Sequence, residues 1–114
     1  MKRLLVTTAI AIALIVAAAK ARADDINPAD TALQLGTVIG SEQTCDLTYD
    51  QDAIERFINE HVSASDMSFP SLLSMFTDGT KAEILGMSQS SLTAHCAQIR
   101  RIAKQYGFVV EKRK

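Results

Sequence analysis

The chain has 114 residues, with 12 basic and 13 acidic side chains, two cysteines and no tryptophan. That length allows one small domain and no more. A charge balance on the negative side lacks the basic footprint of a nucleic-acid binder.

The N-terminus bears on compartment. Met1-Lys2-Arg3 is basic, Leu4 to Ala19 is apolar apart from Thr7 and Thr8, and Ala21-Arg22-Ala23 is an A-x-A pattern followed by Asp24-Asp25. That order reads as a secretory signal peptide over 1–23, cleaved after Ala23, and leaves 24–114 as a single small helical domain. The alternative is an uncleaved membrane anchor. The apolar run is short of the roughly 20 residues a span needs, and Lys20 closes it. Cleavage removes four bases (Lys2, Arg3, Lys20 and Arg22) and no acid, which leaves eight bases against 13 acids, a net charge of −5. Ten acids and one base, Arg56, lie between Asp24 and Asp66; six bases and one acid, Glu111, lie between Arg100 and Lys114. The front is acidic and the tail basic.

Asn27-Pro28 predicts a helix start, with a side-chain cap and proline at the first position. Leu35, Val38, Ile39, Glu42 and Cys45 carry helical spacing, so a helix is expected over 28–45. Gly36 and Gly40 lie one turn apart and suit close helix–helix approach; otherwise each weakens its helix by about 1 kcal/mol. A second helix is expected over 49–62. Thr48 with Gln51 fits a capping box, and Asp50 is a rival cap. Tyr49, Ala53 and Phe57, with Ile54, Ile58 and Val62 beside them, form its apolar stripe. Ser68, Phe69 and Pro70 open a third helix that buries Leu72, Leu73 and Phe76. Asp78-Gly79 is expected to divide it into pieces over 68–78 and 80–87. The last helix is expected over 90–106. Leu92, Cys96, Ile99, Ala103 and Tyr106 recur at spacings of four, three, four and three. Gly107 is a C-cap candidate, after which Phe108-Val109-Val110 either folds back on the core or trails away.

The fold class is therefore all-α: a bundle of four to five short helices. An even pair of cysteines in a small exported domain favours a disulfide, and with only two the pairing is forced as Cys45–Cys96. Free thiols, or a metal role for His95 beside Cys96, are the alternatives.

No catalytic, cofactor-binding or metal-ligating set stands out. His61 and His95 are the only histidines, and neither lies in a nucleophile motif. His95 and Cys96 are adjacent, so on a helix they point about 100° apart. Zinc ligands want offsets of three or four. Asp46, Asp50 and Asp52 lack the glycine and terminal glutamate of a calcium loop. A non-enzymatic reading follows. Met67, Phe69, Met75, Met87 and Phe108 are candidates for adaptable binding surface, though a small core has use for most of them.

A resemblance can be placed on Leu35-Gly36, Val38-Ile39-Gly40-Ser41-Glu42, Cys45, Tyr49-Asp50, Ala53-Ile54, Phe57-Ile58, Asp66-Met67, Phe69, Met87-Ser88, Thr93-Ala94-His95-Cys96, Gln98-Ile99-Arg100-Arg101 and Tyr106-Gly107-Phe108. This pattern resembles a family of short exported proteins of rhizobia-like alphaproteobacteria, some labelled "signal recognition particle". The label does not fit the residues, which include no GTPase loop and no methionine-rich RNA-binding domain. The resemblance implies export and the Cys45–Cys96 bridge, and carries over no catalytic residue. A looser likeness, in architecture alone, is to the acid-stress chaperones of the bacterial periplasm. The charge pattern fits that likeness: protonating the acidic front at low pH would loosen a fold or dimer held by front-to-back attraction and expose apolar surface.

The functional expectation is a small periplasmic or secreted protein that binds an envelope protein partner, chaperone-like or inhibitor-like. An envelope-associated structural factor held by an uncleaved N-terminal helix, or a thiol or metal role for His95-Cys96, stands as the alternative.

Overall fold

A computed structural model describes residues 27–110. The expected leader over 1–23 and its expected cleavage after Ala23, together with Glu111 to Lys114, lie outside the described residues. Among the described residues four helices run in order: α1 (Pro28–Gly40), α2 (Gln51–His61), α3 (Phe69–Leu85) and α4 (Gln89–Gln105).

Helix α1 is the centre, with Ala32, Leu35 and Val38 buried along it. Asn27 caps it, its Oδ1 accepting from the Ala29 N–H at 3.0 Å. The helix stops at Gly40 rather than running to Cys45. The Ser41 and Glu42 N–H groups turn to carbonyls three residues back, on Val38 and Ile39, which tightens the ladder. A separate turn over 41–46 follows. It ends with Asp46 at φ 57°, the Asp46 N–H on the Gln43 carbonyl and the Leu47 N–H on the Glu42 carbonyl. That is a left-handed C-terminal stop built on aspartate.

Helix α2 begins later than expected because Tyr49 is drawn out of it. The Tyr49 N–H donates to Glu42 Oε1 at 3.0 Å, and its buried hydroxyl donates to the Val38 carbonyl at 2.9 Å. Asp50, not Thr48, is the cap, accepting from the Asp52 N–H at 3.0 Å. Helix α3 is continuous, so the expected break at Asp78-Gly79 is absent. A Cβ added at Gly79 would meet nothing within 4 Å. The glycine faces open space inside a helix, a weakening and not an interruption.

Gly36 and Gly40 do bring α3 onto α1. A Cβ on Gly36 would lie 2.8 Å from Phe76 Cβ, and one on Gly40 would lie 2.7 Å from the Thr77 carbonyl oxygen. Helix α4 covers the core with Cys96, Ile99 and Ala103, leaving Leu92 and Tyr106 half-buried. It stops at Gly107, φ 77°. The Gly107 N–H donates to the Lys104 carbonyl and the Phe108 N–H to the Ala103 carbonyl, the paired bonds of a Schellman stop. The reversal sends Phe108 into the core against Tyr49, Phe57 and Tyr106, with ring centroids 5.5–5.7 Å away. Its carbonyl accepts the Asp50 N–H at 2.9 Å. The Cys45–Cys96 disulfide ties the turn after α1 to the middle of α4, with Cα atoms 5.2 Å apart.

Candidate binding surface on helix α1

The neighbourhood of the disulfide is the first place to look for chemistry, because a serine and a histidine meet there. Ser41 Oγ and His95 Nε2 are 2.8 Å apart. Ser41 Oγ also lies 2.7 Å from the Thr37 carbonyl, which can only accept, so the single hydroxyl proton goes there. His95 Nε2 is therefore the donor to Ser41. A general base needs a lone pair on that nitrogen, and Ser41 is fully buried. The pair is a structural tie between the turn and α4. Cys96 spends its sulfur on Cys45, so in this oxidised form it offers no thiolate to a metal. Arg100 reaches across from α4 to donate to the Cys45 carbonyl at 3.0 Å.

The other residues marked by the sequence take structural positions. His61 donates from Nδ1 to the Phe57 carbonyl at 2.8 Å and stacks on that ring at 4.2 Å, closing the last turn of α2. Asp46, Asp50 and Asp52 are exposed at the α1–α2 junction, and no group of three or more metal-ligating side chains occurs among the described residues. Burial holds the Tyr49 hydroxyl up to about 12, with Glu42 adding to the effect. Burial also raises Tyr106.

The candidate binding residues divide. Phe69 and Phe108 are core and Met87 is half-buried, whereas Met67 is 81 % exposed and Met75 57 % exposed. Met75 belongs to a larger surface. Leu35 and Val38 point α1 into the core and Gly36 and Gly40 press it on α3, which leaves Leu33 and Thr37 outward, one turn apart. Leu33 is 47 % exposed. Thr37 gives its hydroxyl proton to the Leu33 carbonyl at 2.8 Å. Its polar group is spent on the backbone, so the pair acts as an apolar ridge.

A hollow lies on each side of this ridge. The one toward α4, of about 440 Å³, is walled by Gln98, Ile102 and Tyr106. The one toward α3, of about 400 Å³, is walled by Met75, Phe76, Gly79 and Glu83. Among the described residues, Glu83 is the single charged one lining either hollow. A ridge flanked by two valleys is the relief into which another helix packs its side chains.

The sequence marks Met75 as a surface candidate and gives no such sign for Leu33. Asp30, Gln34 and Thr37 form a polar stripe on α1 and Leu33 lies at its edge, so periodicity alone does not say whether Leu33 is covered. Comparison with protein families, curated proteins and solved structures adds nothing to this picture: no family model, curated protein or solved structure matches the chain. Among the described residues no helix is long and apolar enough to cross a membrane.

Proposed function

We propose that the chain is an exported, non-enzymatic binding protein of the bacterial envelope that receives an amphipathic helical segment of a partner protein on the Leu33–Thr37 ridge. The observation that carries this reading is the ridge between two hollows, lined by apolar and uncharged polar residues with Glu83 as the single charge. The partner segment that fits it is apolar on one face and carries a lysine or arginine to meet Glu83. Export rests on the leader-like N-terminus and on a disulfide of the kind that persists in oxidising compartments. The likeness to short exported alphaproteobacterial proteins agrees with it and supplies no partner.

The test uses the 24–114 form and a synthetic helical peptide with leucines at i, i+3, i+4 and i+7 and one lysine beyond them. Amide chemical shifts should move along α1, α3 and α4 around Leu33. Leu33→Asp should abolish the effect without changing the melting temperature. Glu83→Lys should weaken the lysine peptide and favour its glutamate counterpart. Shifts spread evenly over the protein, or unaffected by Leu33→Asp, would refute the docking surface. Intact mass of the exported protein addresses the anchored alternative, since a mature N-terminus at Asp24 removes the anchor.

A further inference from the structure

The α3 side of the ridge contains a side chain whose polarity can be changed by one reaction. Met75 is 57 % exposed and forms the wall of the hollow shared with Leu33, Thr37 and Phe76. Thioether oxidation follows access to the sulfur, and an envelope compartment holds few of the reductants that shield cytosolic proteins. We propose that Met75 is an oxidation-sensitive modification site whose sulfoxide closes the ridge to its apolar partner. This rests on the docking reading above and assigns a regulation to it.

The chemistry needs one co-reactant, a peroxide. The sulfur lone pair attacks one peroxide oxygen, the O–O bond breaks, and an S–O bond forms. The second oxygen leaves as water after taking up the proton. Sulfur is oxidised by two electrons and the peroxide is reduced by two. A sulfoxide reductase returns the thioether with two electrons and two protons from a dithiol, which becomes a disulfide while the sulfoxide oxygen leaves as water. The sulfoxide oxygen is a strong acceptor, and among the described residues the side-chain donors lining that hollow are Thr37 and Thr80. The Thr37 hydroxyl already serves the Leu33 carbonyl, and Thr80 lies about 140° round α3 from Met75, with its Cβ and Cγ2 turned to Gly40 of α1. A partner helix laid over this wall would bury the new oxygen without a hydrogen bond, which lowers affinity on the order of tenfold or more. The free protein tolerates the change, because the outward side chain keeps its oxygen in water.

Met67 supplies an internal control. It is 81 % exposed, yet it lines a different hollow, beside Ile58, Val62 and Phe69 at the α2–α3 junction. It should oxidise at least as fast as Met75 and leave the ridge unaffected.

The experiment treats the 24–114 protein with hydrogen peroxide and maps sulfoxides by peptide mass. It then measures binding of the leucine–lysine helical peptide before and after. The expected result is sulfoxide at Met67 and Met75 ahead of Met87, an unchanged melting temperature, and peptide affinity reduced about tenfold or more. Met75→Leu should keep its affinity through peroxide treatment, and Met67→Leu should lose it as the parent does. Equal loss in Met75→Leu, or full affinity with Met75 oxidised, overturns this inference and leaves the docking surface standing. Absence of peptide binding before any peroxide overturns both.

Discussion

The glycines supply a test in which one substitution gives opposite signs in one protein. Alanine at Gly36, Gly40 or Gly79 gains the same helix propensity and the same restriction of the unfolded chain, about 1 kcal/mol in each case. That common gain cancels in the comparison. What remains is the space each methyl would enter. At Gly79 nothing lies within 4 Å, so the gain stands alone. At Gly36 the methyl would lie 2.8 Å from Phe76 Cβ and 3.1 Å from the Thr77 backbone nitrogen; at Gly40 it would lie 2.7 Å from the Thr77 oxygen and 2.9 Å from Thr80 Cβ. Carbon atoms pack best at about 3.5–4.0 Å, so α3 must retreat by roughly 1 Å, and the obstacle is backbone that no rotamer change removes. Overpacking of this kind costs about 1–3 kcal/mol. With about 4–8 °C per kcal/mol for a domain of this size, Gly79→Ala should melt about 8–16 °C above Gly36→Ala or Gly40→Ala, taking a central cost of about 2 kcal/mol. Thermal and urea unfolding followed by far-ultraviolet circular dichroism read this directly, with unchanged denaturant slopes showing that only stability moved. If all three alanine variants shift in the same direction by similar amounts, the glycine seam between α1 and α3 is wrong.

Four further outcomes follow from the same structure. Replacing Cys45 and Cys96 together by serine releases a closure over a sequence separation of 51, and urea unfolding should show a loss of up to about 4 kcal/mol, with reduction of the parent protein giving a similar drop. Because the folded state holds the Tyr49 proton up to about 12 from an ordinary 10, its contribution is fully present below pH 10 and is lost as pH rises toward 12. The loss is about 2–3 kcal/mol, and Tyr49→Phe should flatten that alkaline decline while losing about 1 kcal/mol at neutral pH with the bond to Val38. Asp46 sits at φ 57°, so Asp46→Gly should be neutral or stabilising and Asp46→Val should lose about 1–2 kcal/mol in the same unfolding assay. Phe108→Ala should lose about 3–5 kcal/mol, since it empties the best-buried ring in the core.

The sequence displayed its local signals well. Asn27-Pro28 marked the start of α1, the spacing from Leu92 to Tyr106 marked the inner face of α4, and two cysteines left one pairing. It also suggested why Gly36 and Gly40 share a face. What it concealed was set by partners distant along the chain. The end of α1 depends on Ser41, which His95 meets from 54 residues away, and the start of α2 depends on Tyr49 reaching back to Val38. Gly79 looked like a stop because sequence does not reveal whether a helical glycine faces a neighbour or open space. Phe108 was undecided between two paths until the left-handed turn at Gly107 directed it inward. Met67 and Phe69, two residues apart at the α2–α3 junction, end up on opposite sides of the surface.

The fastening of α4 bears on how the two walls of the ridge are held. Within little more than one turn, His95 bonds Ser41, Cys96 is covalently joined to Cys45, and Arg100 holds the Cys45 carbonyl. These three anchors fix α4 against sliding or rolling relative to α1. Helix α3 meets α1 through fitted shape at Gly36 and Gly40. The two walls of the ridge are therefore held by different means: discrete covalent and polar ties on the α4 side, close backbone packing on the α3 side. Reduction of the disulfide removes a tie on the α4 side alone, so amide exchange after reduction should quicken more along α4 than along α3.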